Sequence, residues 1–256
     1  MAEHLLVQIS DIHLTLDGNL LPGVRPRENL IRALEVINAS AIKPDVFILT
    51  GDLADTGAGA CYEDLAQIFR RSASDGSADV IFLPGNHDDR AEFRRHLLGT
   101  EASNTPINQV HWRGGLRIIS LDSSIPGQDD GELDGETLAF LTSELLAAAP
   151  DGTVVALHHP PIPSPIEPMS RLRLRNPHDL RSAIAGSDVR IVISGHNHHE
   201  AAGSIGSVPV WVSPSSAYRA DVTKTDVFRG IAGSAFSRID LADAELVVTV
   251  VTVPLE

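Results

Sequence analysis

The chain has 256 residues, is 43% hydrophobic and 21% charged, and carries a formal net charge of −14. This is globular composition with enough apolar material for a sizeable core, and its acidity argues against duplex DNA or RNA, whose phosphates it would repel. A lone Cys61 excludes an intrachain disulfide; the segment MAEHLLVQISDIH has no leader-like n-region; and no stretch nears the roughly 20 apolar residues of a membrane span, so a cytoplasmic protein is expected.

Read in chain order, His4 to Ser10 is a strand running into Asp11. Leu30, Ile31, Leu34 and Ile37 recur at helical spacing from about Arg27, and Lys43-Pro44 ends that segment. Asp45 to Thr50 is a buried strand stopping at Gly51-Asp52, and Leu65, Ile68 and Phe69 mark the next helix. Ala78 to Leu83 is a strand ending at Pro84-Gly85-Asn86-His87, followed by a helix from Asp88 to Leu98 with acids first and basic residues late. Strands follow near Val110 to Trp112 and Leu116 to Leu121, then a long helix from Asp134 through Ala149. Thr153 to Leu157 and Val189 to Ser194 are strands ending at His158 and at Gly195-His196. The segment 160–177 holds six prolines in eighteen residues and reads as a long loop beside these strand ends. From about Ala201 to Val253, β-rich runs alternate with Gly, Ser and Pro turns, which predicts antiparallel strands. The expected organisation is a single domain: a catalytic α/β core over 1–200, and a β-rich part over 201–256 that completes the second sheet. The fold class is α/β, with two sheets sandwiched between helices.

Five short blocks each follow an apolar, β-branched run: Asp11-Ile12-His13, Gly51-Asp52, Gly85-Asn86-His87-Asp88, His158-His159 and Gly195-His196-Asn197-His198. Their seven candidate metal ligands are Asp11, His13, Asp52, Asn86, His158, His196 and His198. They fall at the carboxyl ends of strands, where α/β folds hold their ligands. In extended chain, residues i and i+2 point to one side, so Asp11 and His13 can share an ion, as can His196 and His198. Gly51 and the Pro84-Gly85 turn let Asp52 and Asn86 project from sharply bent backbone. Mixed imidazole and carboxylate donors suit Zn, Fe, Mn or Co rather than calcium.

This ordered set resembles the calcineurin-like metallophosphoesterase superfamily, whose blocks are D-x-H, G-D, G-N-H-D/E, H and G-H-x-H. They span Asp11 to His198 with no ligand missing. GNHDDR at Gly85 to Arg90, LHHPPIPS at Leu157 to Ser164 and the chain length further resemble the bacterial class III 3′,5′-cyclic nucleotide phosphodiesterases. The resemblance implies a four-layer αββα sandwich of two mixed sheets flanked by helices. It implies two divalent or trivalent transition-metal ions (Mn, Fe, Zn or Co): Asp11, His13 and His198 on one, Asn86, His158 and His196 on the other, and Asp52 between them. Two ions about 3.5–4 Å apart can clamp a phosphoryl group while a hydroxide they share attacks in line.

His87 would then stand at the substrate phosphate, stabilising the transition state or protonating the leaving oxygen, with Asp55 of the G-D-x-x-D spacing as its orienting partner. Asn86, His87 and Asn197 are the candidate substrate contacts, although alternation turns Asn197 away from the metals. His159 either packs or supports a ligand from behind. Asp88 and Asp89 read as helix-starting residues; His4, His96, His111, His178 and His199 read as surface or packing residues; and Asp122-Ser123-Ser124 can support the site. The reading is a phosphodiesterase of a small-molecule phosphodiester, 3′,5′-cAMP first, with no nucleic acid polymer as partner. Its rivals are a broader phosphodiesterase or phosphomonoesterase acting on 2′,3′-cyclic nucleotides or glycerophosphodiesters, a metal-dependent nuclease, and a non-catalytic scaffold. Substrate choice is expected in loops 14–26, 99–109, 123–133 and 160–177. The basic run Arg171, Arg173, Arg175 and the β-rich tail are candidate homodimer surfaces.

Overall fold

A computed structural model describes residues 3–72, 78–243 and 245–254. The elements in order are β1 (Glu3–Ile9), α1 (Pro26–Ala39), β2 (Val46–Thr50), α2 (Gly59–Ser72), β3 (Asp79–Leu83), α3 (Arg90–Phe93), a π-helical turn (Arg94–Leu98), β4 (Gln109–Arg113) and β5 (Leu116–Leu121). There follow α4 (Gly135–Glu144), β6 (Thr153–Leu157), α5 (Glu167–Arg171), α6 (Pro177–Ile184), β7 (Val189–Ser194), β8 (Ala201–Ile205), β9 (Val208–Val212), β10 (Arg219–Ala220), β11 (Gly230–Ile231), β12 (Ser234–Ala242) and β13 (Glu245–Val253).

Strand alternation builds the layers. In β1, β2 and β3, residues Leu6, Val46, Ile48, Ile81 and Leu83 face the other sheet, while Val7, Ile9, Phe47 and Leu49 face helices. In β5, β6 and β7, residues Leu116, Ile118, Val154, Ala156, Ile191 and Ile193 meet the first set across the middle, and Ile119, Leu121, Val155, Leu157 and Val192 face outward. Being buried on both faces is why these strands read as unbroken apolar runs. Helices α1 and α2 cover one outer face through Leu30, Ala33, Leu34, Ile37, Leu65, Ile68 and Phe69. Leu141 of α4 with Leu180 and Ile184 of α6 covers the other. The result is a four-layer αββα sandwich. One sheet has the order β13-β12-β1-β2-β3, the other β4-β5-β6-β7-β9-β8, and each mixes parallel and antiparallel pairs.

Four local expectations need correction. The long helix stops at Glu144, because Arg117 Nη1 claims the Glu144 carbonyl and, at 2.9 Å, that of Ala147; Leu146 beyond it is exposed. The 88–98 segment is α3 plus a π-helical turn, closed by Gly99 at φ 63°. Segment 160–177 contains α5 and is pinned by Leu174 N on Pro160 O (3.1 Å) and Arg175 N on Gly131 O (2.8 Å). The C-terminal part does not go to one sheet: β8 and β9 extend the six-stranded sheet, whereas β12 returns antiparallel to β1 and, with β13, extends the five-stranded one. Their alternating pattern suits either edge, so pattern alone leaves the choice open.

Candidate metal centre

The parallel strands of both sheets end at the same rim. β1 delivers Asp11 and His13, β2 delivers Asp52, and β3 delivers Asn86 and His87; β6 delivers His158, and β7 delivers His196 and His198. Extended backbone is not what aims these side chains. Among the described residues, five of the six non-glycine positions with positive φ are candidate ligands: Asp11 (51°), His13 (49°), Asp52 (51°), His196 (69°) and His198 (55°). Left-handed backbone at such residues costs on the order of 1–3 kcal/mol each and persists only where the surroundings fix it. Here they do. Asp11 N donates to Gly51 O (3.2 Å), His13 N to Asp52 O (2.8 Å) and His196 N to the Asp11 carboxylate (2.9 Å). Gly51 and Gly85 bring the loops into contact, since a Cβ on Gly51 would strike the His158 ring and one on Gly85 would strike Asp52.

All seven sequence-predicted ligands converge. Nε2 of His13 lies 3.2 Å from Nε2 of His198, which is 3.6 Å from Asp11 Oδ1. Asn86 Oδ1 lies 3.2 Å from His158 Nε2 and 3.1 Å from His196 Nδ1. Asp52 Oδ2 stands between the groups, 3.6 Å from His13 Nε2 and 3.3 Å from His158 Nε2.

The hydrogen bonds behind the rings decide what these donors can hold. His13 Nδ1 is spent on the Asp55 carboxylate (3.1 Å), His198 Nδ1 on the Tyr218 carbonyl (3.1 Å) and His158 Nδ1 on the Thr50 carbonyl (2.8 Å). Each partner takes the Nδ1 proton and leaves Nε2 facing the site, the nitrogen that would bind an ion once free of its own proton, as for metal-binding histidines. Two such nitrogens 3.2 Å apart, on His13 and His198, suit a cation between them better than they suit each other. The residues therefore fit two metal ions: Asp11, His13 and His198 around one, Asn86, His158 and His196 around the other, with Asp52 shared.

The electrostatics agree. Burial, and next the positive His158, push the His196 imidazole down to about 3. Burial and neighbouring histidines also hold His198 and His159 well below the usual imidazole range, so all three stay neutral donors at pH 7. Burial lowers His158 too, but Asp52 outweighs it and lifts His158 to about 9. Burial would raise Asp52, yet His158 and His13 hold its carboxyl well below the ordinary range. Burial, the largest influence on Asp11, raises it to about 6.

Other expected residues sort differently. His87 sits at the open rim with its side chain 40% exposed and its ring centroid 4.7 Å from that of His13. Its Nδ1 donates to the backbone carbonyl of Asp55 (2.8 Å), and the Asp55 carboxylate, 3.8 Å away, is turned to His13 instead. His159 is buried with Nδ1 on Ser123 Oγ (2.8 Å), packed between His158 and His196. The Asn197 amide is buried, and neither of its polar atoms finds a partner among the described residues.

Asp88 does not start the helix; Asp89 caps it, accepting from Glu92 N (2.9 Å). Asp88 instead accepts from Leu53 N (3.1 Å), Ala54 N (3.1 Å), Gly85 N (2.8 Å) and Tyr62 Oη (2.9 Å), tying the Asp52 and Asn86 loops together. Sequence reasoning also missed Tyr218, whose ring stacks on His198 with centroids 4.2 Å apart. No motif carries it, and only its position after the buried Ser213–Ser216 run hints that this loop lies inside.

Comparison with known proteins places the site in a family. The calcineurin-like phosphoesterase profile matches residues 4–200. A cAMP/cGMP dual specificity phosphodiesterase of Mycobacterium tuberculosis is 40% identical over 222 residues, 86% of this chain and 70% of that protein. A 3′,5′-cyclic adenosine monophosphate phosphodiesterase of Pseudomonas aeruginosa is 31% identical over 217 residues, 84% of this chain and 77% of that one. Among solved structures, a dimetal phosphatase from Danio rerio superposes with a TM-score of 0.68 at 13% identity, covering 98% of both chains, which speaks for the fold alone. No helix among the described residues is long and apolar enough to cross a membrane. The chain belongs to the calcineurin-like phosphoesterase family.

Proposed function

We propose that the protein hydrolyses 3′,5′-cyclic nucleotides, cAMP first, at two transition-metal ions chosen from Mn, Fe, Zn and Co. Family membership makes it a hydrolase of phosphodiesters. The observation that carries the finer reading is the pair of ligand groups sharing Asp52, with His87 free at the rim, in a chain 40% identical to a cAMP/cGMP phosphodiesterase. Two ions so held supply Lewis-acid charge to the phosphoryl oxygens and a nucleophile from water at neutral pH.

The chain's own residues do the rest. His196 and His198 stay uncharged, so protons do not compete for their donor atoms, whereas an ion would have to displace the proton that Asp52 favours on His158. The Asp52 carboxylate is fixed from outside by His87 N (2.9 Å). The Asp55 carbonyl occupies Nδ1 of His87 and leaves Nε2 to face the substrate; with Nδ1–H so held, the ring gives a proton to the departing 3′ oxygen only from its imidazolium form, which loses the Nε2 proton and is left as the neutral Nδ1–H tautomer. Opening of the cyclic diester then gives the 5′ monoester. Asn86, His87 and the unpartnered amide of Asn197 are the assigned substrate contacts.

The test is turnover of 3′,5′-cAMP by Mn-loaded protein beside bis(p-nitrophenyl) phosphate and p-nitrophenyl phosphate. Hydrolysis of cAMP supports the proposal. Cleavage of the diester alone would leave the chemistry and remove the cyclic nucleotide. His87→Ala should lower kcat by about 10²–10⁴-fold with metal content unchanged; a wild-type rate would remove His87 from the chemistry.

A further inference from the structure

A cleft of about 230 Å³ opens directly beside Asn86 and His87. Thr56 forms one edge, Asn104 another, and Ile125 and Pro126 form an apolar wall. These residues come from three separate loops, yet the walls are fixed to one another. Arg90 is buried and anchors all three of its guanidinium nitrogens there: Nε on the Asp122 carboxylate (2.8 Å), Nη1 on the Asn104 carbonyl (2.9 Å) and Nη2 on the Ser124 carbonyl (2.8 Å). Asp122 completes the brace through Ile107 N (2.9 Å) and Ser124 Oγ (2.6 Å). One buried ion pair therefore sets the distance between the two walls, so the cleft exists before anything enters it.

Its chemistry selects the guest. Each Arg90 nitrogen is already engaged and its charge is paired with Asp122, and Asp89 lines the same cleft, so a second phosphate is disfavoured. The Thr56 hydroxyl and the Asn104 amide make no hydrogen bond to other described residues. An amide offers both donor and acceptor, which suits the edge of a purine, and the Ile125–Pro126 wall suits its face. The volume is below the roughly 300–1,000 Å³ of pockets that enclose whole ligands, as expected for a subsite that takes part of one.

We propose that this cleft is the nucleoside subsite, with Asn104 reading the base edge and Arg90 acting as a positioning residue that holds the walls apart. This rests on the cyclic nucleotide reading and adds to it which side of the metal centre the nucleoside occupies. Any ligand with phosphorus at Asn86 and His87 has this cleft as its neighbouring space.

Calorimetric titration of the Mn-loaded full chain with 5′-AMP and, separately, inorganic phosphate isolates the nucleoside's share of binding as the ratio of the two dissociation constants. AMP should bind more tightly than phosphate. Asn104→Ala should shrink that ratio by about 5-fold, the worth of one hydrogen bond, and Thr56→Phe, which fills the cleft, should bring it close to one. Equal affinities in the wild type, or an unchanged ratio in both variants, would overturn the assignment. Should Thr56→Phe fail to fold, the exposed Asn104→Ala decides alone. Failure of the cyclic nucleotide reading looks different: no cAMP turnover, with the AMP advantage intact and sensitive to Asn104.

Discussion

The two sheets bring different chemistry to the same rim. Of the candidate metal ligands, the five-stranded sheet contributes Asp11, Asp52 and Asn86 with a single imidazole, His13, whereas the six-stranded sheet contributes imidazoles only: His158, His196 and His198. Neither sheet alone assembles either candidate ligand group. The Asp11–His13 group meets His198 from across the sandwich, and the His158–His196 group meets Asn86. The site is therefore a property of the packed interface between Leu6, Ile48 and Ile81 on one side and Ile118, Val154 and Ile191 on the other. The charge states depend on each other in the same way. His158 of one sheet keeps Asp52 of the other ionised, and Asp52 keeps His158 protonated until about 9. Without metal, that cross-sheet pair at 3.3 Å partly neutralises the buried carboxylate.

The hardest way to break this arrangement is to remove Asp52, the carboxylate that stands between the two groups. Asp52→Ala should lower the metal stoichiometry from two and cut turnover of a phosphodiester by about 10³-fold or more, given the several kcal/mol that such ions contribute to a phosphoryl transition state. Elemental analysis beside steady-state rates reads both. Two ions retained in the variant would show that Asp52 does not bridge.

Asp55 separates the two roles its own residue plays. Its carboxylate backs His13, and its carbonyl backs His87. Asp55→Ala deletes only the first, so metal affinity or activity should fall by about 10–100-fold, as for other groups behind metal-bound histidines. The pH profile of the metal-saturated variant should keep the wild-type shape. A changed profile with unchanged metal affinity would restore the pairing of the Asp55 carboxylate with His87 that the G-D-x-x-D spacing suggests.

That spacing shows where sequence reading reaches its limit. The convergence of the candidate ligands was legible because each follows an apolar run, and such runs end where parallel strands end. Extended alternation explained the pairing of Asp11 with His13 for the wrong reason. The backbone at both is left-handed, a conformation that Asp and His adopt only when neighbours impose it, here Gly51 O, Asp52 O and Ser215 Oγ. Asp88 was misjudged because Asp serves a helix N-cap and a buried acceptor equally well, and the donors that decide, Leu53 N, Ala54 N and Tyr62 Oη, lie more than twenty residues away. Arg90 was invisible as a brace for the same reason: two of its three partners are backbone carbonyls, which carry no side-chain signature. The division of the tail between the sheets was hidden because β8, β9, β12 and β13 show alternation that fits any half-covered sheet.

The smallest expected effect sits where the sheets meet away from the metals. His111 on edge strand β4 lines a crevice of about 380 Å³ together with Asp79, Val80 and Ile81 of edge strand β3. Its Nε2 is buried and finds no partner among the described residues. Burial lowers its pKa below 6.5, and the Asp79 carboxylate only partly opposes this. The sign follows from linkage. Above 6.5 both folded and unfolded chains hold the ring neutral; as pH falls, the unfolded chain takes the proton first, so stability present above 6.5 is lost on the way down through the folded value. His111→Leu removes that contribution at a site distant from the metal ligands. Denaturant midpoints measured between pH 7.5 and 5 should therefore fall less steeply for the variant than for the wild type. Parallel slopes would mean that the seam admits water to His111, and that tight packing of the two sheets is confined to their middle and to the rim that holds the candidate ligands.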